Sequence, residues 1–102
     1  MQDFRQGDII RINGFRQPFV IVSKNAFIKS TGMFHVCPFL SGIKEGPVHI
    51  SGTGVKGIQG VAALEQIKLI DPGARTILKT DWLRYADIME MSDALQGIFE
   101  YD

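Results

Sequence analysis

The chain is poor in the residues that staple a fold or span a membrane. One of its 102 residues is a cysteine, Cys37, so no internal disulfide can form and a reducing, cytoplasmic setting is expected. No apolar run approaches the ~18 residues that a membrane-crossing helix needs, so no membrane association is expected. The opening residues, Met-Gln-Asp-Phe-Arg-Gln-Gly, lack the apolar centre of a secretory signal. Two histidines and a lone cysteine have no ligand-like spacing, which argues against a metal site and leaves no cofactor expected. Internal repeats and low-complexity tracts are also missing. What remains is the balance of an ordinary soluble domain, 45% apolar and 22% charged, in a length that suits a single domain over residues 1–102 with one core.

The net charge of zero hides an uneven distribution. Residues 1–80 carry ten Lys/Arg against five acids, a balance of +5, whereas residues 81–102 carry Arg84 against six acids, a balance of −5. The first part is suited to a polyanion, and the tail would repel one or fold back to shield the basic part. The plain alternative is scattered, solvated surface charge.

Two apolar runs between Phe15 and Gly42 organise the chain. Phe19 to Val22 and Met33 to Phe39 are β-branched and aromatic, and are too short for self-sufficient helices, so both read as strands. Ahead of them, Ile9 to Ile12 is a strand followed by Asn13-Gly14. That pair suits a two-residue type I′ hairpin leading into a second strand over Phe15 to Ser23. Pro18 removes an amide donor there, so regular pairing is expected only from Phe19. Ser23 or Asn25 can cap a short helix through Ala26, Phe27 and Ile28 that stops at Gly32. Further strands are expected at Val48–Ile50, Val61–Ala63, Ile67–Ile70 and Arg75–Lys79, with turns at 64–66 and at Asp71-Pro72-Gly73. Four glycines in Ser51–Gly60 mark a mobile loop, whose spacing does not match a phosphate-binding loop. Tyr85, Ile88, Met91, Leu95 and Ile98 recur at helical spacing, predicting a closing helix with one apolar stripe, capped by Asp81 or Asp87. Six or seven short strands and one C-terminal helix make the fold mainly β (α+β), a bent antiparallel sheet or partial barrel.

The order of several segments resembles the MazF/PemK family of toxin–antitoxin ribonucleases. They are Arg5-Gln6-Gly7-Asp8-Ile9-Ile10, Pro18 to Ser23 with Ala26-Phe27, and Ser30-Thr31-Gly32-Met33. Then come Val36-Cys37-Pro38 with Ser41-Gly42, Gly60 to Lys68, Ile70-Asp71 and Ala74-Arg75. The resemblance implies an SH3-like or CcdB-like partial barrel, a homodimer, a cognate antitoxin partner and single-stranded RNA bound at the dimer groove. It also implies metal-independent cleavage in which a ribose 2′-hydroxyl attacks its own phosphate. Such chemistry needs a proton acceptor, a proton donor and a cation.

The chain departs from the family pattern in three places. At the position of the arginine that directly precedes the proline stands Gln17, with Arg16 one residue earlier. The threonine position falls on Leu40, beside Ser41, and the first two strands are joined by Asn13-Gly14 where the family has a longer loop. An acid persists at Glu65. The expected catalytic residues are therefore Arg16, Ser41 and Glu65, with Gln17, Lys44 and Gln66 binding RNA. The alternative is a non-catalytic module on the same barrel, pairing with an antitoxin or inhibiting a protein target as CcdB-type gyrase poisons do. A plain dimeric scaffold is the third reading.

Several other residues carry two readings. His35 and His49 read first as packed or pairing strand histidines, with acid–base chemistry on RNA as a second role for His49. Cys37 reads as a small core residue. Trp82 and Tyr85 read as anchors of the last helix, or as platforms for stacked bases.

Overall fold

The computed structural model describes residues 3–100; Asp102, counted above in the acidic tail, lies outside them. The strands are β1 (Asp8–Ile12), β2 (Phe19–Ile21), β3 (Phe34–Leu40), β4 (His49–Thr53), β5 (Gln59–Ala63), β6 (Lys68–Ile70) and β7 (Ile77–Trp82). Two α-helices, α1 (Asn25–Thr31) and α2 (Tyr85–Ile98), and two single-turn 3-10 segments, Leu64–Gln66 and Pro72–Ala74, complete the regular structure of the described residues. All pairings are antiparallel, in the order β4-β5-β3-β2-β1-β7. The long central strand β3 holds β2 on one edge. Its other edge is shared by β6 on Phe34–Val36 and β5 on Phe39–Leu40. The sheet bends there without closing as a ladder, and a lone bridge between Gly54 and Leu83 ties the β4–β5 tip to the end of β7.

Strand alternation sends apolar side chains to both faces, so two clusters form where one core was expected. Ile9, Val20, Cys37, Phe39 and Leu64 pack on one face under α2, through Ile88, Met91 and Leu95. Ile10, Phe19, Ile21, Phe34 and Val36 pack on the other, under Phe4, Phe15, Ile28 and Ile77.

The local corrections have physical reasons. Asn13-Gly14 does not make a type I′ hairpin. The Phe15 N–H bonds to the Ile12 carbonyl and only Gly14, at φ 95°, has positive φ, whereas type I′ needs it at both central residues. The Asn13 N–H is instead drawn to the Thr76 carbonyl beside β7, and β1–β2 pairing resumes at Phe19. Ser51–Gly60 is not a loose loop. Ser51 pairs with Val61, Gly52 with Gly60 and Thr53 with Gln59. Its glycines answer to space: a Cβ on Gly60 would lie 2.8 Å from the Phe39 ring, and one on Gly54 would collide with the Asp81 carboxylate.

Neither helix is capped by a side chain as the sequence suggests. Asn25 Oδ1 accepts from the Gln6 N–H and Ser23 Oγ is held against His35. Asp87 Oδ2 accepts from the Thr53 N–H. Asp81 is fully buried and accepts three backbone N–H bonds, from Lys56, Ile58 and Trp82. Gly32, at φ 71°, does stop α1, and its N–H closes onto the Ile28 carbonyl. The apolar stripe of α2 holds at Met91 but not at Tyr85, which is 74% exposed.

Candidate functional site

The β4–β5 pairing sets His49 opposite Ala63, and the chain then turns through the 3-10 segment Leu64–Gln66. That turn brings Glu65 back over His49. Their side chains meet with Nε2 2.9 Å from Oε1, while His49 Nδ1 lies 3.1 Å from the Lys44 carbonyl. A carbonyl only accepts, so Nδ1 carries a proton, and the carboxylate draws a second proton to Nε2. The His49 ring is held from a fixed strand, since residues 46 and 49 exchange both backbone bonds and the Leu64 N–H bonds to the Val48 carbonyl.

The pair remains open to solvent, with side-chain exposures of 33% for His49 and 41% for Glu65. The hydrogen bond to Glu65 is the main cause that raises the His49 pKa, with the Lys44 carbonyl adding to it against partial desolvation. The same bond is the main cause holding Glu65 below the usual carboxylate range. Gln66 Nε2 also reaches Oε1, at 3.5 Å. Beneath the pair, burial and then the Glu65 charge push the Cys37 thiol up to about 12, so Cys37 is an inert core residue.

The titration of this pair has a defined sign. A raised His49 pKa stabilises the fold fully below the ordinary value of 6.5, and that gain is lost as pH climbs through the folded value. A lowered Glu65 pKa contributes above 4.5 and is lost as pH falls through its folded value. The His49 ring is expected to titrate above 6.5 by NMR, and Glu65→Gln is expected to bring its midpoint back down. An unchanged midpoint would show that the two side chains do not interact in solution.

The other candidate residues lie elsewhere on the sheet. Continuing the β3–β5 register places Ser41 opposite Gly60, in an exposed hollow with Ser51, Thr53 and Gln59. From Gly60 to Leu64 the chain covers about 13 Å at ~3.3 Å per residue, so Ser41 and Glu65 sit toward opposite ends of β5. Arg16 is exposed in the segment before β2, where the Arg11 guanidinium donates to its carbonyl at 2.6 Å. The Phe39 N–H bonds to the Pro18 carbonyl, carrying β2–β3 pairing one step past Phe19. The chain bends at Arg16 and Gln17, so the ladder does not run on to them. The structure thus groups Glu65, Gln66 and the Lys44 backbone with His49, and leaves Arg16 and Gln17 in the bend before β2. It does not bring Glu65 and Ser41 together.

Basic side chains gather around Phe15, next to Arg16 in the chain. Lys68 Nζ lies 4.4 Å from the Phe15 ring centre and Arg75 lies 5.6 Å from it. Phe15 packs on the sheet face opposite to the one that α2 covers, so the acidic helix does not lie over these cations. Trp82 is half-exposed between the ammonium groups of Lys56 and Lys79, and Lys79 is also paired with the buried Asp8 at 3.1 Å. His35 is a pairing residue, with Nδ1 2.8 Å from Ser23 Oγ and its ring packed against Phe27. Among the described residues, no group of three or more His, Cys, Asp or Glu side chains is arranged so that it could hold a metal ion.

Comparison with known proteins accords with this architecture. A family model described as PemK-like, MazF-like toxin of type II toxin–antitoxin system matches residues 4–99. A search of curated proteins finds no match. Among solved structures, a MazE–MazF structure from Deinococcus radiodurans (form II) is similar over 100% of both chains, with a TM-score of 0.82 and 20% identity. An endoribonuclease from a mycobacterial species is similar over 95% of this chain and 91% of its own, with a TM-score of 0.77 and 17% identity. A further mycobacterial endoribonuclease, in complex with its cognate antitoxin, is similar over 98% and 100%, with a TM-score of 0.77 and 15% identity. At these identities the solved structures speak for the fold alone.

Proposed function

This chain belongs to the PemK-like, MazF-like family of toxins of type II toxin–antitoxin systems, and from that premise we propose that it cuts single-stranded RNA and is held silent by a cognate antitoxin. The observation that carries the reading is the Glu65 carboxylate, ionised, solvent-open and held by His49 on a rigid turn. A carboxylate so placed is suited to take the proton of a ribose 2′-hydroxyl. The 2′-oxygen then bonds to phosphorus as the bond to the 5′-oxygen breaks, and the departing oxygen takes its proton from solvent. Arg16 and Ser41, which lie away from Glu65, bind a phosphate further along the same RNA strand. Gln17, Lys44 and Gln66 bind the flanking nucleotides. The working unit is a cytoplasmic homodimer.

One observation favours a second reading. Ser41 and Glu65 lie toward opposite ends of β5, and Leu40 beside Ser41 can neither give nor take a proton. A binding module that pairs with an antitoxin, or blocks a protein target, needs no such convergence.

Incubation of the purified protein with a long RNA in EDTA separates the two. Cleavage that is lost in the Arg16→Ala/Glu65→Ala double variant is expected. RNA left as intact as with that variant would overturn the enzyme reading, and growth arrest without RNA cleavage would establish the binding module.

A further inference from the structure

We propose that His49 is the positioning residue of this site, clamping Glu65 so that its second carboxylate oxygen is aimed outward to receive the 2′-hydroxyl proton. The inference rests on the RNA-cleavage reading above and adds to it a residue that none of the family segments contains.

Geometry gives each ring nitrogen one task. Nδ1 donates to the Lys44 carbonyl at 3.1 Å and Nε2 to Glu65 Oε1 at 2.9 Å. Neither nitrogen is left to face a substrate, so His49 acts through Glu65. Oε1 is taken by His49 and Gln66, and beyond these the carboxylate bonds to its own backbone N–H, with no further side chain on Oε2 among the described residues. The clamp is stiff at both ends, because His49 lies on the paired strand β4 and Glu65 on the 3-10 turn whose Leu64 N–H is bonded to Val48. A carboxylate free to rotate on an exposed turn would lose that aim, and a 1 Å misplacement costs on the order of 100-fold in rate.

The charges that face the pair are few. From the loop before β4, Lys44 offers its carbonyl to the ring, and its ammonium is on an exposed residue. From β3, Cys37 lies buried below and un-ionised at neutral pH. The helix α2 packs on the same face through Met91, Ala94 and Leu95. Of its acids, Asp87 is engaged by Thr53 at the far end of β4, while Glu90 and Asp93 are exposed. The His49–Glu65 couple therefore titrates chiefly against itself. A neutral imidazole has one N–H for two acceptors, so deprotonation leaves a lone pair against either the Lys44 carbonyl or the Glu65 carboxylate and the ring is no longer held at both nitrogens.

The test is the pH dependence of RNA cleavage in the wild type and in His49→Gln, whose amide can still donate to Glu65 but cannot titrate. In the wild type, kcat/KM is expected to fall as pH rises through the His49 midpoint measured by NMR on the same protein. His49→Gln should lose that alkaline limb and shift its acid limb upward while keeping most of kcat, whereas His49→Ala, which removes the donor, should drop kcat about 10–100-fold with little change in KM. Profiles that superimpose for the wild type and His49→Gln would overturn the positioning role while leaving RNA cleavage standing. So would an alkaline limb in the wild type that does not coincide with the His49 midpoint, a comparison that needs no variant. A wild type that leaves RNA intact would overturn the cleavage reading and this inference with it.

Discussion

Asp81→Ala should lower the stability of the fold by roughly 3–5 kcal/mol, the cost of leaving three backbone donors without their acceptor. Oδ1 accepts from the Lys56 and Trp82 N–H groups at 2.8 and 2.7 Å, and Oδ2 from Ile58 at 3.0 Å. Lys56 and Ile58 belong to the connection between β4 and β5 and Trp82 to the end of β7, so one carboxylate pins the hairpin tip to the opposite sheet margin. Burial alone would push this group's pKa up, but the three N–H bonds and the nearby Lys56 charge outweigh it and hold the carboxyl below its ordinary value. Its contribution is therefore present above pH 3.8 and lost as pH falls through the folded value. For a chain of this size the loss corresponds to a melting point lower by roughly 12 °C or more. Thermal and urea melts measure it, and a variant that melts with the wild type would mean that water replaces the carboxylate at no cost. Asp81→Asn, which keeps the shape and one acceptor oxygen, should fall between the two.

Gly54→Ala should cost about 3 kcal/mol, at the upper end of the usual range for overpacking, because the group in its way is that same carboxylate. Gly54 does not have positive φ, so alanine suits the backbone and the penalty is one of space. A methyl there must displace Asp81 from its donors or part the tip from β7, where Gly54 bridges Leu83. Coupling between the two sites gives the sharper test. Once Asp81→Ala has emptied the space, the Gly54 methyl has room, so the double variant should be more stable than the sum of the single effects predicts. Additive losses would show that Gly54 is constrained by something other than Asp81.

How far the sequence revealed this architecture depends on the kind of signal. Short apolar runs marked the strands well, because a residue such as Ile9 or Phe39 has nowhere to go but a sheet face. Gly-rich Ser51–Gly60 misled for a definite reason. Glycine signals flexibility when nothing else is known, yet Gly54 and Gly60 leave room for Asp81 and the Phe39 ring, which come from strands far away in the chain. That error also hid part of the site. His49 and Glu65 are sixteen residues apart, and only the β4–β5 register brings them together. Glu65 was within reach because the family resemblance marks an acid there. His49 was not, because a histidine in a short apolar strand looks the same whether or not it has a carboxylate above it. Caps failed in a similar way: Asp81, Asn25 and Ser23 are all natural capping residues, but each is engaged by a donor remote in sequence.

The pairing of β1 with β7 has a bearing on how the molecule is made. The Thr80 hydroxyl bonds to the Ile9 carbonyl across 71 residues of chain, and the ladder beside it joins Asp8 to Trp82 and Ile12 to Ile77. During synthesis at ~5–20 residues per second, chains emerge N-terminus first. β1 must therefore wait several seconds, on the order of 4–14 s, with one edge unpaired while the rest of the sheet is translated. Contacts so distant slow folding in general. In that interval the β1 edge is open to pairing with another chain, the hazard of any unpaired strand edge.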